Sequence, residues 1–445
     1  MIEEEVQDKY QQAGLLLLNV KPASIQEATK ETQWMEAMRV EIDSIKNNRT
    51  WTLTQLPPNQ KVIGLKWVFK SKRDASGMVT KHKARLVAKG YVQQKGVDFK
   101  DAFATVARME SIRFLLPLAT KENWIIHHLD VKRCAQEQVV YKLQSKSTTL
   151  IIGVYVGDII VTGSSEKHIQ YFKVRMNSIF DINDLGKLNY YLGTEVKQEE
   201  DSIVIKQKNY ARKILKEAYM SKCNPAKWPM DPKLQLTKNK GGKEVDPTKY
   251  RRIIGSLRYM INTRPNLSYS VGVVSKFMQL PKESHYAAVK KILRYLKGTT
   301  RYGLKYPKGG NRKICGYSDS SHASDIEDRR GSTGMVFYYS QNPVTWASQK
   351  QQTVALSSCE AEFMAVMAAT CQALWLRNMV SFLTGEEAQR VQLLVNNQSA
   401  IALMKNLVFR GRSKHIDTKY HFIRECVERD QICVEHVSGD LFLLS

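Results

Sequence analysis

The chain has 445 residues, which is enough for about three domains with sizeable cores. Hydrophobic residues make up 43% and charged residues 25%, a globular composition that excludes collagen-like, fully disordered and membrane-spanning classes. The 68 Lys and Arg residues exceed the 43 Asp and Glu residues, giving a net charge of +25. This excess predicts a polyanionic partner, most simply nucleic acid, with a solvated basic surface as the alternative.

The cysteines and the N-terminus bear on the compartment. Seven cysteines are scattered without a C-x-x-C pair, which argues against a disulfide framework or a zinc site and predicts a reducing, intracellular location. The apolar run 15–18 follows an acidic start, is too short to span a membrane and lacks the basic lead of a signal peptide. We therefore expect no membrane partner, and leave cytoplasm and nucleus open.

The first predicted elements are a helix and a basic hairpin. The capping-box pattern at 24–27 begins the helix, and apolar residues recur at helical spacing over 34–45. Two strands, 66–73 and 78–88, follow with a turn at 74–77. Alternation places Trp67 and Phe69 on one face and the basic residues on the other: Lys66, Lys70 and Lys72. Such a face suits a nucleic-acid backbone, although a solvated sheet face has the same pattern.

A second hairpin carries the first pair of carboxylates. A helix over 113–120 precedes a strand over 124–131, in which Asp130 lies near the end. Two apolar strands, 150–156 and 159–162, are then joined by Gly157 and Asp158. Asp130 and Asp158 could meet at a sheet edge and bind Mg²⁺, as carboxylates do in phosphoryl transfer. On the pattern alone, a plain Gly-Asp turn is the simpler interpretation.

The rest of the chain is predicted to be helical and then mixed. Residues 250–306 are mainly helical with an interruption at 264–266, and the Pro- and Gly-containing stretch 306–311 predicts a domain boundary. Beyond it we expect strands over 314–318, 335–339, 344–347 and 353–356, a helix from 357–358, a strand over 391–395 and a helix from 399. This order is typical of a mixed sheet flanked by helices.

The C-terminal part offers a second carboxylate pair. Asp319 lies on the first strand after the boundary, and Glu362 lies in the helix after the strands, so the two could face each other at one sheet edge. The pattern alone leaves this open. His415 lies in a basic loop, where a solvated histidine and a substrate contact are both compatible with the sequence.

Several motifs together carry a family resemblance. KWVFK at 66–70, KARLVAKG at 83–90, LDVK at 129–132, YVGD at 155–158, GSLRY at 255–259 and ILRYLKGT at 292–299 resemble the reverse transcriptase of copia-type LTR retrotransposons. GYSD at 316–319, the stretch from ALS at 355 to EAE at 362, and GRSKH at 411–415 resemble the ribonuclease H domain of the same Pol polyprotein. The resemblance covers almost the whole chain in the family's order.

The resemblance implies an α+β fold with two metal-dependent sites. It implies a helical lead-in over 1–60, polymerase fingers and palm over 61–225, a helical thumb or connection over 226–305, and an α/β RNase H-like domain over 312–445. It also implies DNA synthesis on RNA or DNA and hydrolysis of RNA in an RNA–DNA hybrid, with Mg²⁺ or Mn²⁺. Asp130 and Asp158 would hold metal in the palm, and Asp319 and Glu362 in the RNase H-like domain. The residues that would contact nucleic acid are Lys66, Lys70, Lys72, Lys83, Arg85 and Lys89.

The sequence departs from the family pattern at four places. Gly157 replaces the first of two hairpin aspartates, and Asn396 replaces an RNase H aspartate. A palm segment is missing near 133/134, which predicts a cavity or a misfolded palm. The chain also ends before or across the last expected aspartate, which Asp440 does not replace. We therefore expect impaired catalysis; a non-catalytic nucleic-acid-binding relic and an unstable product without function remain alternatives.

Overall fold

In the computed structural model of the chain, the described residues are 22, 24–47, 55, 62–73, 79–89, 109–131, 140–145, 148–155, 157–180, 182–232, 234–238, 241–405 and 417–438. The chain divides into two compact units, Met1–Ala104 and Thr105–Ser445. Both units contain helices and strands, so the α+β class predicted from the sequence is confirmed. None of the described helices is long and apolar enough to cross a membrane.

The first unit contains two helices and a β-hairpin. Helix α1 (Ile25–Ala28) begins at the predicted cap, where the Glu27 amide donates a 3.2 Å hydrogen bond to the Ser24 hydroxyl, but it ends after one turn. Helix α2 (Thr32–Asn47) then begins separately. Strands β1 (Leu65–Arg73) and β2 (Val79–Ala88) pair antiparallel. The rings of Trp34 and Phe69 meet edge to face at 5.3 Å, so α2 packs on the apolar face of the hairpin.

The second unit begins with helix α3 (Met109–Lys121) and a five-stranded antiparallel sheet in the order β4-β5-β6-β3-β7. These strands are β3 (His127–Val131), β4 (Val140–Gln144), β5 (Thr149–Tyr155), β6 (Asp158–Gly163) and β7 (Ile182–Lys187). Helix α4 (Glu166–Ile179) covers the face that carries Leu129, whereas Ile112 of α3 and Ile160 belong to a separate core on the other face. Strand β3 begins three residues later than predicted.

A small sheet and a helical region follow. The sheet has the order β11-β10-β9-β8, and its strands are β8 (Tyr190–Tyr191), β9 (Thr194–Gln198), β10 (Ser202–Lys206) and β11 (Gly303–Pro307). The helices are α5 (Lys208–Glu217), α6 (Pro247–Met260), α7 (Ser268–Ser275) and α8 (Glu283–Gly298), and they share a core of their own. Short 3₁₀ turns, Ile261–Thr263 and Pro265–Leu267, form the predicted interruption.

The C-terminal sheet has the order β14-β13-β12-β15-β16, in which β12 to β14 are antiparallel and β15 and β16 run parallel to β12. Its strands are β12 (Ile314–Ser321), β13 (Ser332–Tyr339), β14 (Asn342–Lys350), β15 (Val391–Val395) and β16 (Ile432–His436). Its helices are α9 (Ser358–Thr384), α10 (Gln398–Lys405) and α11 (Asp417–Glu428), of which α9 packs on β12.

The strand predicted over 353–356 is wrong. The chain there is irregular, and Leu356 is 75% exposed. The Leu356 amide donates a 2.8 Å hydrogen bond to the Glu360 carboxylate, while Ser357 accepts one from the Glu360 amide at 3.1 Å. This reciprocal cap of α9 occupies the backbone donor that a strand would need.

The segment 306–311 contains the end of β11 and most of the connection to β12, and one hydrophobic core extends on both sides of it. This core contains Ile112 and Ile160 as well as Phe337 and Phe363. Buried packing therefore continues across the predicted boundary, and the boundary between 305 and 312 stays a prediction.

Candidate metal sites and nucleic-acid interface

Asp319, Glu362 and Asn396 converge at one edge of the C-terminal sheet. Asp319 belongs to β12, Asn396 follows the parallel neighbour β15, and Glu362 lies in the second turn of α9. The Asn396 amide nitrogen donates a 3.0 Å hydrogen bond to Asp319 Oδ1. The Ser320 backbone N–H donates to Glu362 Oε1 at 3.0 Å. The structure thus brings together the two carboxylates and the asparagine that the sequence singles out.

Both carboxylates of this edge have raised pKa values. Burial and, second, the negative charge of Asp319 together raise the pKa of Glu362 to about 7. Burial also raises the pKa of Asp319, which the hydrogen bond from Asn396 opposes. Glu362 is only 5% exposed, and its Oε2 atom has no hydrogen-bond partner among the described residues.

This arrangement fits a divalent cation. A cation would compensate the charge of both buried carboxylates and give the unpartnered Oε2 atom a ligand role. The donor set is small, however. Within the described ranges no group of three or more His, Cys, Asp and Glu residues lies close enough to hold a metal ion.

Asp130 and Asp158 lie directly opposite each other on β3 and β6. Opposed residues of antiparallel strands point to the same face, with Cα atoms about 4.5–5.5 Å apart. The Asp158 carboxylate is already engaged, since the Nε2 atom of the buried His128 lies 3.1 Å from its Oδ1 atom. The Asp130/Asp158 pair therefore fits a cation less well than the Asp319/Glu362 pair does.

Two residues beside Asp158, His128 and Tyr191, were not predicted from the sequence. Tyr191 packs its ring edge to face on His128 with centroids 5.6 Å apart, and its hydroxyl is buried without a hydrogen-bond partner in the described structure. Burial raises the pKa of Tyr191, and the negative charge of Asp158 adds to this. The only sequence signal for His128 is its position two residues before Asp130 on one strand, which places both on the same face.

In the first unit, the face of the hairpin turned away from α2 is basic. Lys70 lies opposite Lys83, and Val68 lies opposite Arg85. Neither strand contains Asp or Glu. Lys66, Lys70 and Arg85 are exposed on this face, and such an excess of positive charge favours an anionic ligand. Lys83 is half-buried and Lys89 lies just beyond β2.

One further basic residue, Lys81, lies on this face and was not among the predicted contact residues. Lys81 is exposed and lies opposite Lys72 in the strand register. The side chain of Lys72 lies outside the described residues, as do the turn 74–77, the junction near 133/134, His415 and Asp440. Their predicted roles stay predictions.

Comparison with known proteins places the chain in a family. Residues 48–142 and 132–232 match the family model "Reverse transcriptase (RNA-dependent DNA polymerase)". The chain is 31% identical, over 97% of its length, to the "Retrovirus-related Pol polyprotein from transposon RE2" of Arabidopsis thaliana. A "Putative transposon Ty5-1 protein" of Saccharomyces cerevisiae is 30% identical over 51% of this chain and 75% of its own length. The chain belongs to the copia-type retrotransposon Pol polyproteins. This Pol segment spans about a third of the RE2 polyprotein, 34% of its length.

A solved structure of the foamy viral protease-reverse transcriptase in complex with dsDNA is 12% identical to the Pol segment. The match covers 92% of the segment and 84% of that chain, with a TM-score of 0.49. Because this TM-score is too low to establish a shared fold, the family assignment depends on the sequence relatives.

Proposed function

We propose that this Pol segment binds RNA–DNA hybrid, that its hydrolysis of the RNA strand is impaired, and that it does not synthesise DNA. The observation that carries the proposal is the hydrogen bond from the Asn396 amide to Asp319 Oδ1 at 3.0 Å. A neutral group occupies the position where the family resemblance implies a third carboxylate. The same group donates to an oxygen that a cation would need.

Asp319 and Glu362 would hold Mg²⁺ or Mn²⁺ at the C-terminal edge. The metal, when bound, would supply Lewis acidity and a more acidic water molecule. The chain's own contribution is negative charge at a buried edge, and Asn396 reduces that charge by one carboxylate. Since charge stabilisation at such sites contributes several kcal/mol, its partial loss should slow the reaction by orders of magnitude.

Two features support the absence of DNA synthesis. At the β5–β6 turn, Gly157 leaves Asp158 as the only acidic side chain of the tip, and His128 engages one of its oxygens. The family model also matches in two stretches that overlap at 132–142 instead of one continuous stretch. This break supports the proposed internal deletion near 133/134, which would remove part of the substrate pocket.

The basic hairpin and the net charge of +25 support nucleic acid as the partner. A non-catalytic binding protein is the second candidate, favoured by the loss of acidic groups at both edges. The two candidates differ in one measurable property, metal-dependent cleavage of the hybrid.

We expect the purified protein to cleave a labelled RNA–DNA hybrid slowly with Mg²⁺ or Mn²⁺, and Asp319→Asn to lower the rate at least tenfold. Asp430→Asn is the matched control, because Asp430 is an exposed aspartate just before β16, at the opposite end of the C-terminal sheet, and pairs with Arg390. Equal cleavage by the wild type and Asp319→Asn would contradict the role of Asp319. Folded protein that binds hybrid but shows no cleavage would favour the second candidate.

Binding by the hairpin has its own test. Replacing the exposed Lys70 and Lys81 with glutamine should weaken hybrid binding and lower the salt dependence of the affinity. The slope of log K against log salt is negative, and its magnitude should decrease by about 1.8, since each phosphate contact contributes about 0.9. The measurement is fluorescence anisotropy between roughly 50 and 200 mM salt. Lys30→Gln with Lys46→Gln makes the same change of net charge at two exposed lysines of this unit. An equal loss in both double variants would contradict a hairpin interface.

A further inference from the structure

Helix α3 is buried on all sides. All ten residues from 111 to 120 are buried, including Arg113, which is 4% exposed. A helix enclosed in this way belongs to the interior of a larger body. A buried guanidinium is unfavourable unless its N–H groups find hydrogen-bond acceptors. The partners of Arg113 therefore show which parts of the chain this helix connects.

Arg113 joins three parts of the second unit. Its Nε atom donates a 3.1 Å hydrogen bond to the Val344 carbonyl in β14, and its Nη1 atom donates a 3.3 Å bond to the Asn262 carbonyl between α6 and α7. Its guanidinium carbon lies 4.0 Å from the centroid of the Trp346 ring, also in β14. The Trp346 indole in turn donates to the Ile261 carbonyl at 3.1 Å. One side chain thus links the palm helix, the helical region and the C-terminal sheet.

Two further contacts lie beside this junction. The Thr345 hydroxyl donates to the Glu110 carboxylate at 3.0 Å, and the Phe114 and Tyr339 rings are 4.7 Å apart. They hold the first two turns of α3 against β13 and β14. Planar recognition of two acceptors together with an aromatic face is a property of arginine that lysine lacks.

We propose that Arg113 is a positioning residue that fixes the separation between the Asp130/Asp158 edge and the Asp319/Glu362 edge. On one side, α3 packs on the palm sheet through a core that contains Ile112 and Ile160, two residues along β6 from Asp158. On the other side, β14 pairs with β13, which pairs with β12 and so carries Asp319. A hybrid would then meet both edges at a fixed spacing. The inference uses the two edges of the proposed function, but its test requires neither metal nor nucleic acid.

The test is a distance measurement in the full chain. Spin labels are introduced as unnatural amino acids at two exposed positions, Lys167 in α4 and Glu428 in α11, because the chain has seven native cysteines. Double electron–electron resonance should give one narrow distribution of the distance between the two labels in the otherwise wild-type chain. We expect Arg113→Met to broaden it at least twofold, and Arg113→Lys to broaden it to an intermediate extent.

Arg264→Met is the matched control. Arg264 is also buried, 2% exposed, and its guanidinium donates to the Thr299 carbonyl at 2.8 Å and lies over Tyr295 and Tyr302, all within the helical region and the turn after it. The Arg264→Met variant should therefore leave the distance distribution unchanged. If Arg113→Met fails to fold, Trp346→Phe retains the apolar packing, removes the bond to Ile261 and should still broaden the distribution. A wild-type width in the folded Arg113 variants or in Trp346→Phe would overturn the proposal, as would equal broadening by Arg264→Met.

Discussion

Replacing Asn396 with aspartate should raise the metal-dependent rate of hybrid hydrolysis by about ten- to a thousandfold. The change adds a third carboxylate at the end of β15 and removes the donor that now holds Asp319 Oδ1 at 3.0 Å. Both effects increase the negative charge available to a cation. The same change should destabilise the metal-free protein, because a third acidic group beside Asp319 and Glu362 adds repulsion between like charges.

The measurement is single-turnover cleavage of a labelled hybrid with saturating Mg²⁺ or Mn²⁺. Asn397→Asp is the matched control, since it adds the same charge one residue away. The side-chain oxygen of Asn397 accepts a 2.9 Å bond from the Ala400 amide at the start of α10, and aspartate can retain this cap. An unchanged rate in folded Asn396→Asp would show that charge at this position does not limit the reaction.

Local signals in the sequence predict much of the fold. The alternation over 66–73 and 78–88 gives β1 and β2 within one residue, because one face must cover Trp34 while the other stays in water. The cap at Ser357 marks the start of α9. The apolar strands around Gly157 pair as a hairpin, which places Asp158 opposite Asp130 through simple register.

What depends on distant partners is not predictable from local pattern. The segment 113–120 is identified as a helix, but nothing in it shows why an arginine occupies a buried position. The carbonyl groups that bind Arg113 lie 149 and 231 residues further along the chain. His128 likewise acquires its role only when β6 brings Asp158 alongside. The false strand over 353–356 has a local cause instead, because the hydrogen bond to Glu360, four residues along the chain, outweighs a short apolar pattern.

The contribution of Glu362 to the stability of the metal-free protein should be lost as pH rises from about 4.5 to about 7, and Glu362→Gln should remove this pH dependence. The pKa of Glu362 is raised from its ordinary value of 4.5 to about 7 by burial and by Asp319. The folded protein therefore holds a proton that the unfolded chain has lost in this window. The stabilising contribution is fully present below pH 4.5 and is lost as pH rises through 7. Its size is on the order of 3 kcal/mol.

Urea unfolding at pH 5 and pH 8 with a chelator measures this effect as the difference between wild type and variant. The difference is needed because the pKa of the buried His127 is lowered, chiefly by burial, so its contribution is lost as pH falls and has the opposite sign. Glu425→Gln, which removes an exposed partner of Arg429, should change stability by less than about 1 kcal/mol at either pH. The same pH dependence in Glu362→Gln and wild type would contradict the assignment.

Divalent metal should reverse the trend. A cation between Asp319 and Glu362 stabilises their charged forms, so excess Mg²⁺ or Mn²⁺ should restore stability at pH 8 but add little at pH 5, where Glu362 holds its proton. At a concentration one hundred times the dissociation constant, the gain would be about 2.7 kcal/mol. Glu362→Gln should lose most of that gain. If Glu362→Gln retained the metal-dependent gain in the free energy of unfolding, the cation would bind at another site. The Asp319/Glu362 pair would then not be the metal site that we propose for hydrolysis of the hybrid.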